Sequence, residues 1–173
     1  PCPTYPEIRL AMNALWALPK MLKDLMPAAI HIATEGPLGS SARRFCKKHK
    51  HPFSTSFHTR FPEYIHARCG LPVSITYAWM RKFHGDASVT MVTTPTMRTD
   101  LDSRNFKNLE IWSRGVDLEL FRPRPKDILD FPRPIFMNIG RVAVEKNIGA
   151  FLELGLPGTK VVVGGGPQLE ELK

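Results

Sequence analysis

Residues 140–147 (GRVAVEKN) hold the side chains best suited to bind a charged group. Gly140 ends a predicted strand and lets the backbone turn. Arg141 then lies at the carboxyl edge of a predicted sheet, where open α/β sheets bind ligands, and Lys146 lies at a predicted helix start. A forked guanidinium, an ammonium group and a helix N-terminus suit a diphosphate and ease its loss as a leaving group. The alternative is a surface ion pair between Arg141 and Glu145.

A glycine-rich turn, Gly164 to Pro167, follows the next predicted strand. Such a turn lets a ligand approach the backbone, which makes Gly165 and Gly166 candidates for lining a cleft. The turn has neither the Lys-Ser/Thr pair of a P-loop nor the GxGxxG pattern. An ordinary tight turn is the alternative.

Two further candidates follow strands in the first half of the chain. His58 ends the predicted strand 53–58, where it would face a cleft, bind a ligand hydroxyl or carry a proton. Its alternative is a structural hydrogen bond to a nearby backbone carbonyl. The turn at residues 35–39 (EGPLG) precedes a predicted helix, although its proline and second glycine could serve helix geometry alone. The cleft-lining candidates in this turn are Glu35, Gly36 and Gly39.

Residues 43–51 (RRFCKKHKH) form a strongly basic run at the end of a predicted helix. A solvated helix face is the first interpretation. Peripheral contact with an anionic membrane, helped by the apolar helix 10–26, is the second, and nucleic acid is a weaker third. No third ligand accompanies His49 and His51, so we predict no metal site.

The composition limits the class of protein. Of the 173 residues, 43% are hydrophobic, and the formal net charge of +8 favours an anionic partner. No apolar run approaches the roughly 18 residues of a membrane span. Three scattered cysteines predict a reducing compartment, hence the cytoplasm, with attachment at the inner face of a membrane as an addition. The chain begins without methionine, which suggests a processed chain or a fragment.

Strands and helices alternate along the chain, which predicts an α/β fold. The predicted strands are 27–34, 53–58, 87–93, 109–112, 135–139 and 160–163. The predicted helices are 10–26 (broken at Pro19), 40–50, 75–84, 96–103 and 147–154, the last capped by Asn147.

Residues 121–134 contain four prolines and mixed charge, which predicts an interdomain linker. We therefore expect a partial N-terminal domain at 1–120 and the start of a second domain at 135–173. Two predicted strands cannot make an independent domain, so the second is expected to be truncated.

Five motifs occur in order along the chain: HIATEGPLG, FHTRFPEY, WSRGVDLELFRP, GRVAVEKN and LPGTKVVVGGGP. Together they resemble the retaining glycosyltransferases of family 4. The resemblance is strongest to the bacterial branch related to mannosyltransferases and sulfoquinovosyltransferases that act on lipid acceptors.

The resemblance implies a GT-B fold of two Rossmann-like domains with the active site in the cleft between them. It implies a nucleoside-diphosphate sugar as co-substrate, GDP-mannose by analogy, a lipid or glycan acceptor, retention, and no essential metal or other cofactor. Arg141 and Lys146 match the pair that holds the donor diphosphate. His58 matches the family's first-domain histidine near the donor sugar, and is our candidate catalytic residue.

Some parts of the family pattern have no counterpart. The opening strand with its glycine-rich loop is absent before Pro1, and the paired glutamates of the second domain are absent before Lys173. Gly165 stands where relatives often have an acidic residue. We therefore expect an internal fragment, inactive alone, of a hexosyltransferase. The alternative is a non-catalytic module that binds a nucleotide or another anion.

Overall fold

The computed structural model describes residues 11–125 and 127–173. The chain divides into two compact units, Pro1–Gly115 and Val116–Lys173. The described residues of 121–134 are in neither helix nor strand. The domains at 1–120 and 135–173 and the linker assignment stay predictions.

The first unit alternates helices and strands, and the second repeats the pattern on a smaller scale. The elements of the first unit are α1 (Ala14–Leu25), β1 (His31–Ile32), α2 (Pro37–His49), β2 (Ser54–Phe57), α3 (Phe61–Cys69), α4 (Val73–His84), β3 (Val89–Val92), α5 (Pro95–Ser103) and β4 (Leu109–Ile111). Those of the second are β5 (Ile135–Ile139), a 3-10 turn (Val144–Lys146), α6 (Ile148–Glu153) and β6 (Thr159–Val163).

The four strands of the first unit form one parallel sheet in the order β1-β2-β3-β4. Crossovers between parallel strands are right-handed, so a consecutive order places the connecting helices on one face of the sheet. The α/β class and the Rossmann-like arrangement predicted from the sequence are confirmed. In the second unit β5 pairs with β6, also in parallel.

The core lies between the sheet and its helices, in two clusters. One cluster packs Ile32 of β1 against Phe45 of α2 and Phe83 of α4. The other packs Phe57 of β2 against helices α4 and α5, where Leu101 is fully buried. Apolar residues on alternate strand positions thus fix which face of the sheet carries the helices.

Several predicted boundaries were wrong. The strand predicted at 27–34 shortens to two residues, His31–Ile32. No helix was predicted between residues 58 and 75, but α3 forms there, with Pro62 in its first turn, where a missing N–H costs no helical hydrogen bond. Pro19 does not break α1.

The turn predicted at residues 35–39 is also partly helical, because α2 already begins at Pro37. Asn147 makes no side-chain cap for α6. It adopts the left-handed conformation instead, with φ 48°.

Candidate functional site

The carboxyl ends of the four parallel strands meet at one edge of the first sheet, and two predicted site residues follow adjacent strands there. His58 comes directly after β2 and is exposed, whereas Glu35 lies three residues after β1 and is partly buried. Trp112, which follows β4, is half exposed. The fold therefore presents an acid, a histidine and an indole from this edge.

His58 belongs to a chain of hydrogen bonds along one face of the sheet. Its Nδ1 lies 3.2 Å from Oγ of Ser56, and the same hydroxyl lies 3.3 Å from Nε2 of His31. Nδ1 of His31 in turn lies 2.8 Å from Oγ of Ser54. The Trp112 ring stands edge-on to His31 at 6.3 Å between centroids. The alternative predicted for His58 was a hydrogen bond to a backbone carbonyl. Its partner in the structure is the Ser56 hydroxyl.

This arrangement couples the tautomers of the two histidines. The Ser56 hydroxyl has one hydrogen and two lone pairs, so it can donate to only one of the two rings at a time. When Ser56 donates to His58, Nε2 of His58 carries the hydrogen and can donate to a ligand. When His58 donates to Ser56, its Nε2 is bare and can accept a proton. His31 was not among the predicted site residues. The alternation of Ser54, Ser56 and His58 along one strand was the available signal for a row of polar side chains on this face of the sheet.

A second chain of hydrogen bonds lies on the helix side of the sheet and ends at Glu35. Oγ1 of Thr90 lies 3.0 Å from Oγ1 of Thr55, which lies 2.9 Å from Nδ1 of His84. Nε2 of His84 lies 3.2 Å from Oε1 of Glu35. An ionised carboxylate only accepts, so Nε2 of His84 must carry a hydrogen. In the tautomer with a bare Nδ1, His84 accepts from Thr55, which accepts from Thr90, and every partner is satisfied.

This second chain is buried for most of its length, because Thr55, Thr90 and His84 are each at most 2% exposed. His84 packs among aromatic rings, with its centroid 5.2 Å from that of Phe83 and 5.9 Å from that of Phe57. Glu35 was predicted as a site residue without a partner. In the structure its carboxylate is hydrogen-bonded to the buried ring of His84.

The two glycines of the EGPLG turn differ in what surrounds them. A Cβ on Gly39 would lie 1.8 Å from the carbonyl oxygen of Thr34, so the close approach of α2 to the end of β1 requires glycine there. A Cβ on Gly36 would meet nothing within 4 Å. Gly39 therefore serves packing, and of the two glycines only Gly36 borders open space.

The motif FHTRFPEY holds helix α3 in place through a charged cluster. Arg60 lies 3.6 Å from carboxylate oxygens of both Glu63 and Asp100. The Tyr77 hydroxyl donates to Oε1 of Glu63 at 2.8 Å, and the Arg104 guanidinium stacks on the Tyr77 ring at 4.0 Å. Burial, and then the bond to Glu63, raises the pKa of Tyr77. This part of the motif has a structural role on α3, α4 and α5.

In the second unit, Gly140 follows β5 directly and its N–H donates to the carbonyl oxygen of Val163 at 2.9 Å. Arg141 and Lys146 are both exposed. Between them Val142 and Ala143 are each 1% exposed, so a buried anchor fixes the backbone that presents both cations.

Lys146 directly precedes the N-cap of α6, near the predicted helix start, but it belongs to a separate 3-10 turn. Lys146 ends a 3-10 turn, and the left-handed Asn147 separates that turn from the six-residue α6. The two cations are therefore held by a loop and a 3-10 turn, without a long helix behind them.

The glycine-rich turn after β6 packs against this loop. A Cβ on Gly164 would lie 1.8 Å from the carbonyl oxygen of Gly140, and one on Gly166 would lie 2.2 Å from that of Val142. Gly165 has nothing within 4 Å of its ideal Cβ, and its carbonyl accepts from the N–H of Val142 at 2.9 Å. Two of these glycines permit contact between loops, whereas Gly165 borders open space.

The basic run divides between two sides of α2. Arg43 donates to the carbonyl of Phe83 at 2.9 Å and to the Asp86 carboxylate, which also binds Nζ of Lys47 at 2.8 Å. The bond from Lys47, together with the Arg43 guanidinium, holds the pKa of Asp86 below its ordinary value. His51 bonds to the backbone carbonyls of residues 27 and 52.

Three global properties concern the described residues, 11–125 and 127–173. They contain no group of three His, Cys, Asp or Glu side chains placed to hold a metal ion. None of their helices combines the length and the apolar character needed to cross a bilayer. Cys46 and Cys69 are free thiols, and burial raises the pKa of Cys46.

The profile of glycosyltransferase family 4 matches residues 1–120, which is more than half of the chain. The chain belongs to glycosyltransferase family 4. The resemblance seen in the five motifs is thereby confirmed.

Two curated relatives extend the match past residue 120 of this family 4 chain. A sulfoquinovosyl transferase of Arabidopsis thaliana is 25% identical over 195 residues, covering 100% of this chain and 37% of the relative. A GDP-mannose-dependent alpha-mannosyltransferase of Mycobacterium tuberculosis (strain CDC 1551 / Oshkosh) is 25% identical over 157 residues, covering 85% and 41%. The chain spans about two fifths of the length of these relatives.

Proposed function

We propose that the protein transfers a hexosyl group from a nucleoside-diphosphate sugar to a lipid or glycan acceptor, with retention and without an essential metal. The observation that carries the proposal is the anchored loop of the second unit, which presents Arg141 and Lys146 beside the carboxyl end of β5 in a chain of family 4. The name of the mycobacterial relative supports GDP-mannose as the first donor to test.

Arg141 and Lys146 bind the donor diphosphate in this proposal. The guanidinium donates two parallel hydrogen bonds to phosphate oxygens, and the ammonium adds a compact charge. As the bond between the sugar and the diphosphate breaks, negative charge grows on the leaving phosphate, and cations fixed in advance stabilise it. Gly140 and Gly165 keep the backbone near this charge free of side chains.

His58 has the second role. Its Nε2 donates to, or accepts from, a hydroxyl group of the sugar, and the Ser56–His31 chain decides which by setting the tautomer. Glu35 and Gly36 border the same edge of the first sheet and are proposed to contact ligand hydroxyls. Each of these contacts is a proposal for the first unit by itself.

Calorimetric binding of GDP-mannose and of a panel of other nucleotide sugars tests the diphosphate assignment. Charge-assisted hydrogen bonds contribute about 1.5–3 kcal/mol each, so Arg141→Ala and Lys146→Ala should each raise Kd about 10- to 100-fold. Arg122→Ala is the matched control, because Arg122 is an exposed arginine of the same unit. Unchanged affinity in both site variants would refute the assignment.

Transfer is measured separately, with a radiolabelled sugar and a lipid extract as acceptor. We propose that the 173-residue chain alone gives no transfer, and a clear rate above the no-protein blank would contradict this. Tight donor binding without transfer, in a chain extended to the length of the two relatives, would favour the alternative, a non-catalytic nucleotide- or anion-binding module.

A further inference from the structure

A groove of about 330 Å³ runs between helices α1 and α2. Leu15, Trp16 and Pro19 of α1 and Phe45 of α2 supply its apolar lining. Trp16 is 84% exposed and Leu15 is 52% exposed, although both are large apolar residues. Such a patch on a water-soluble surface indicates a binding site rather than a core.

More of α1 is apolar and exposed than this groove alone accounts for. Only Ala14 of the helix is fully buried, where its carbonyl accepts from the Ser41 hydroxyl of α2 at 2.8 Å. The other large exposed apolar residues on or beside the helix are Met12, Met21, Leu25 and Met26. Helix α1 and its flanking residues thus expose large apolar side chains in addition to those of the groove.

Cations rim the groove. Lys23 of α1 and Arg44 and Lys48 of α2 line it, and no acidic residue does. Unlike Arg43 and Lys47, which bind Asp86, none of these three makes an ion pair with any residue in the described ranges. Helix α2 therefore keeps one set of cations for internal structure and turns another toward the groove.

We propose that this groove and the exposed side of α1 form a docking surface for an anionic lipid bilayer. The exposed apolar side chains together with the basic side chains favour a lipid bilayer over other partners. Trp16 and Leu15 can enter the acyl boundary while long basic side chains reach the headgroups, as in interfacial amphipathic helices. A nucleic acid would bind the basic side chains but would leave the apolar lining of the groove exposed to water. A second copy of the chain would bring the same positive charge to the groove.

Vesicle co-sedimentation of the purified chain, without any sugar nucleotide, tests the proposal independently of transfer. We expect binding to vesicles of phosphatidylcholine with 30–40% phosphatidylglycerol, roughly the anionic content at which a polybasic surface is attracted, and little binding to pure phosphatidylcholine. Arg44→Gln with Lys48→Gln should lower the partition coefficient about 30-fold, since each cation near such a surface contributes about fivefold. The matched control, Lys82→Gln with Lys107→Gln, removes the same charge from other exposed positions.

Tryptophan fluorescence tests the apolar half of the surface. Anionic vesicles should shift the emission of the wild type to shorter wavelength, and Trp16→Phe should abolish the shift while vesicle binding persists. The proposal is overturned by equal loss of binding in the two double variants, or by a shift that survives in Trp16→Phe. It is also overturned if the groove variants change only DNA binding or a concentration-dependent dimer.

Discussion

Replacing Thr55 by valine tests the hydrogen-bond chain that ends at Glu35. Valine keeps the shape of threonine and removes the hydroxyl that joins Thr90 to His84. Both partners are buried, so each is left without its bond in a place that water does not reach. An unsatisfied buried group costs about 1–3 kcal/mol, and the methyl group that replaces the hydroxyl offsets part of this cost by burying apolar surface. We therefore expect a loss of about 2–3 kcal/mol in the free energy of unfolding.

Thr90→Val removes one end of the same chain and should cost less. Thr55 keeps its bond to His84, so the loss is one buried hydrogen bond, about 1 kcal/mol. In the double variant the orphaned Thr90 hydroxyl no longer exists. The double variant should thus lose about 2 kcal/mol, which is less than the sum of the two single losses.

Urea unfolding followed by tryptophan fluorescence measures this cycle. All three tryptophans lie before residue 116, so the signal reports on the first unit alone. Comparable slopes against urea in all four proteins would show that the extent of unfolding is the same. Strictly additive losses, or a larger loss for Thr90→Val than for Thr55→Val, would refute the proposed chain.

Three further predictions follow from single positions. Gly164→Ala should destabilise the second unit by several kcal/mol in urea unfolding followed by circular dichroism, since its methyl would overlap a carbonyl of the neighbouring loop, whereas Gly165→Ala should change little. Because the folded pKa of Asp86 is lowered, Asp86→Asn should destabilise by about 0.5–1 kcal/mol at pH 7, and the gap to wild type should close as the pH falls below about 4, the ordinary pKa of an aspartate. Ser56→Ala should change the tautomer-sensitive ¹⁵N shifts of the two histidine rings it joins; unchanged shifts would argue against the coupling.

Much of the α/β organisation was predictable from local signals. Short apolar runs ending in Gly, Pro or polar residues predicted strands that the structure confirms, and β5 at 135–139 has the predicted bounds. Helix α3 was missed because Pro62 is as compatible with a helix start as with a strand end, and only packing against α4 distinguishes the two. The roles of Arg141 and Lys146 stay predictions, although their place after β5 could be derived from the sequence.

Residue type and position after a strand are local properties, so the candidate site residues could be identified without the fold. They include His58, Glu35 and the glycines of two turns. The contacts of these residues depend on the tertiary structure. His31 is hydrogen-bonded to Ser56, and His84 is hydrogen-bonded to Glu35. Those partners are 25 and 49 residues apart, and no spacing rule connects them. Parallel strand pairing brings His31 beside Ser56, because the register of each strand is set by burial along its whole length. The packing of α4 against the sheet brings His84 to Glu35.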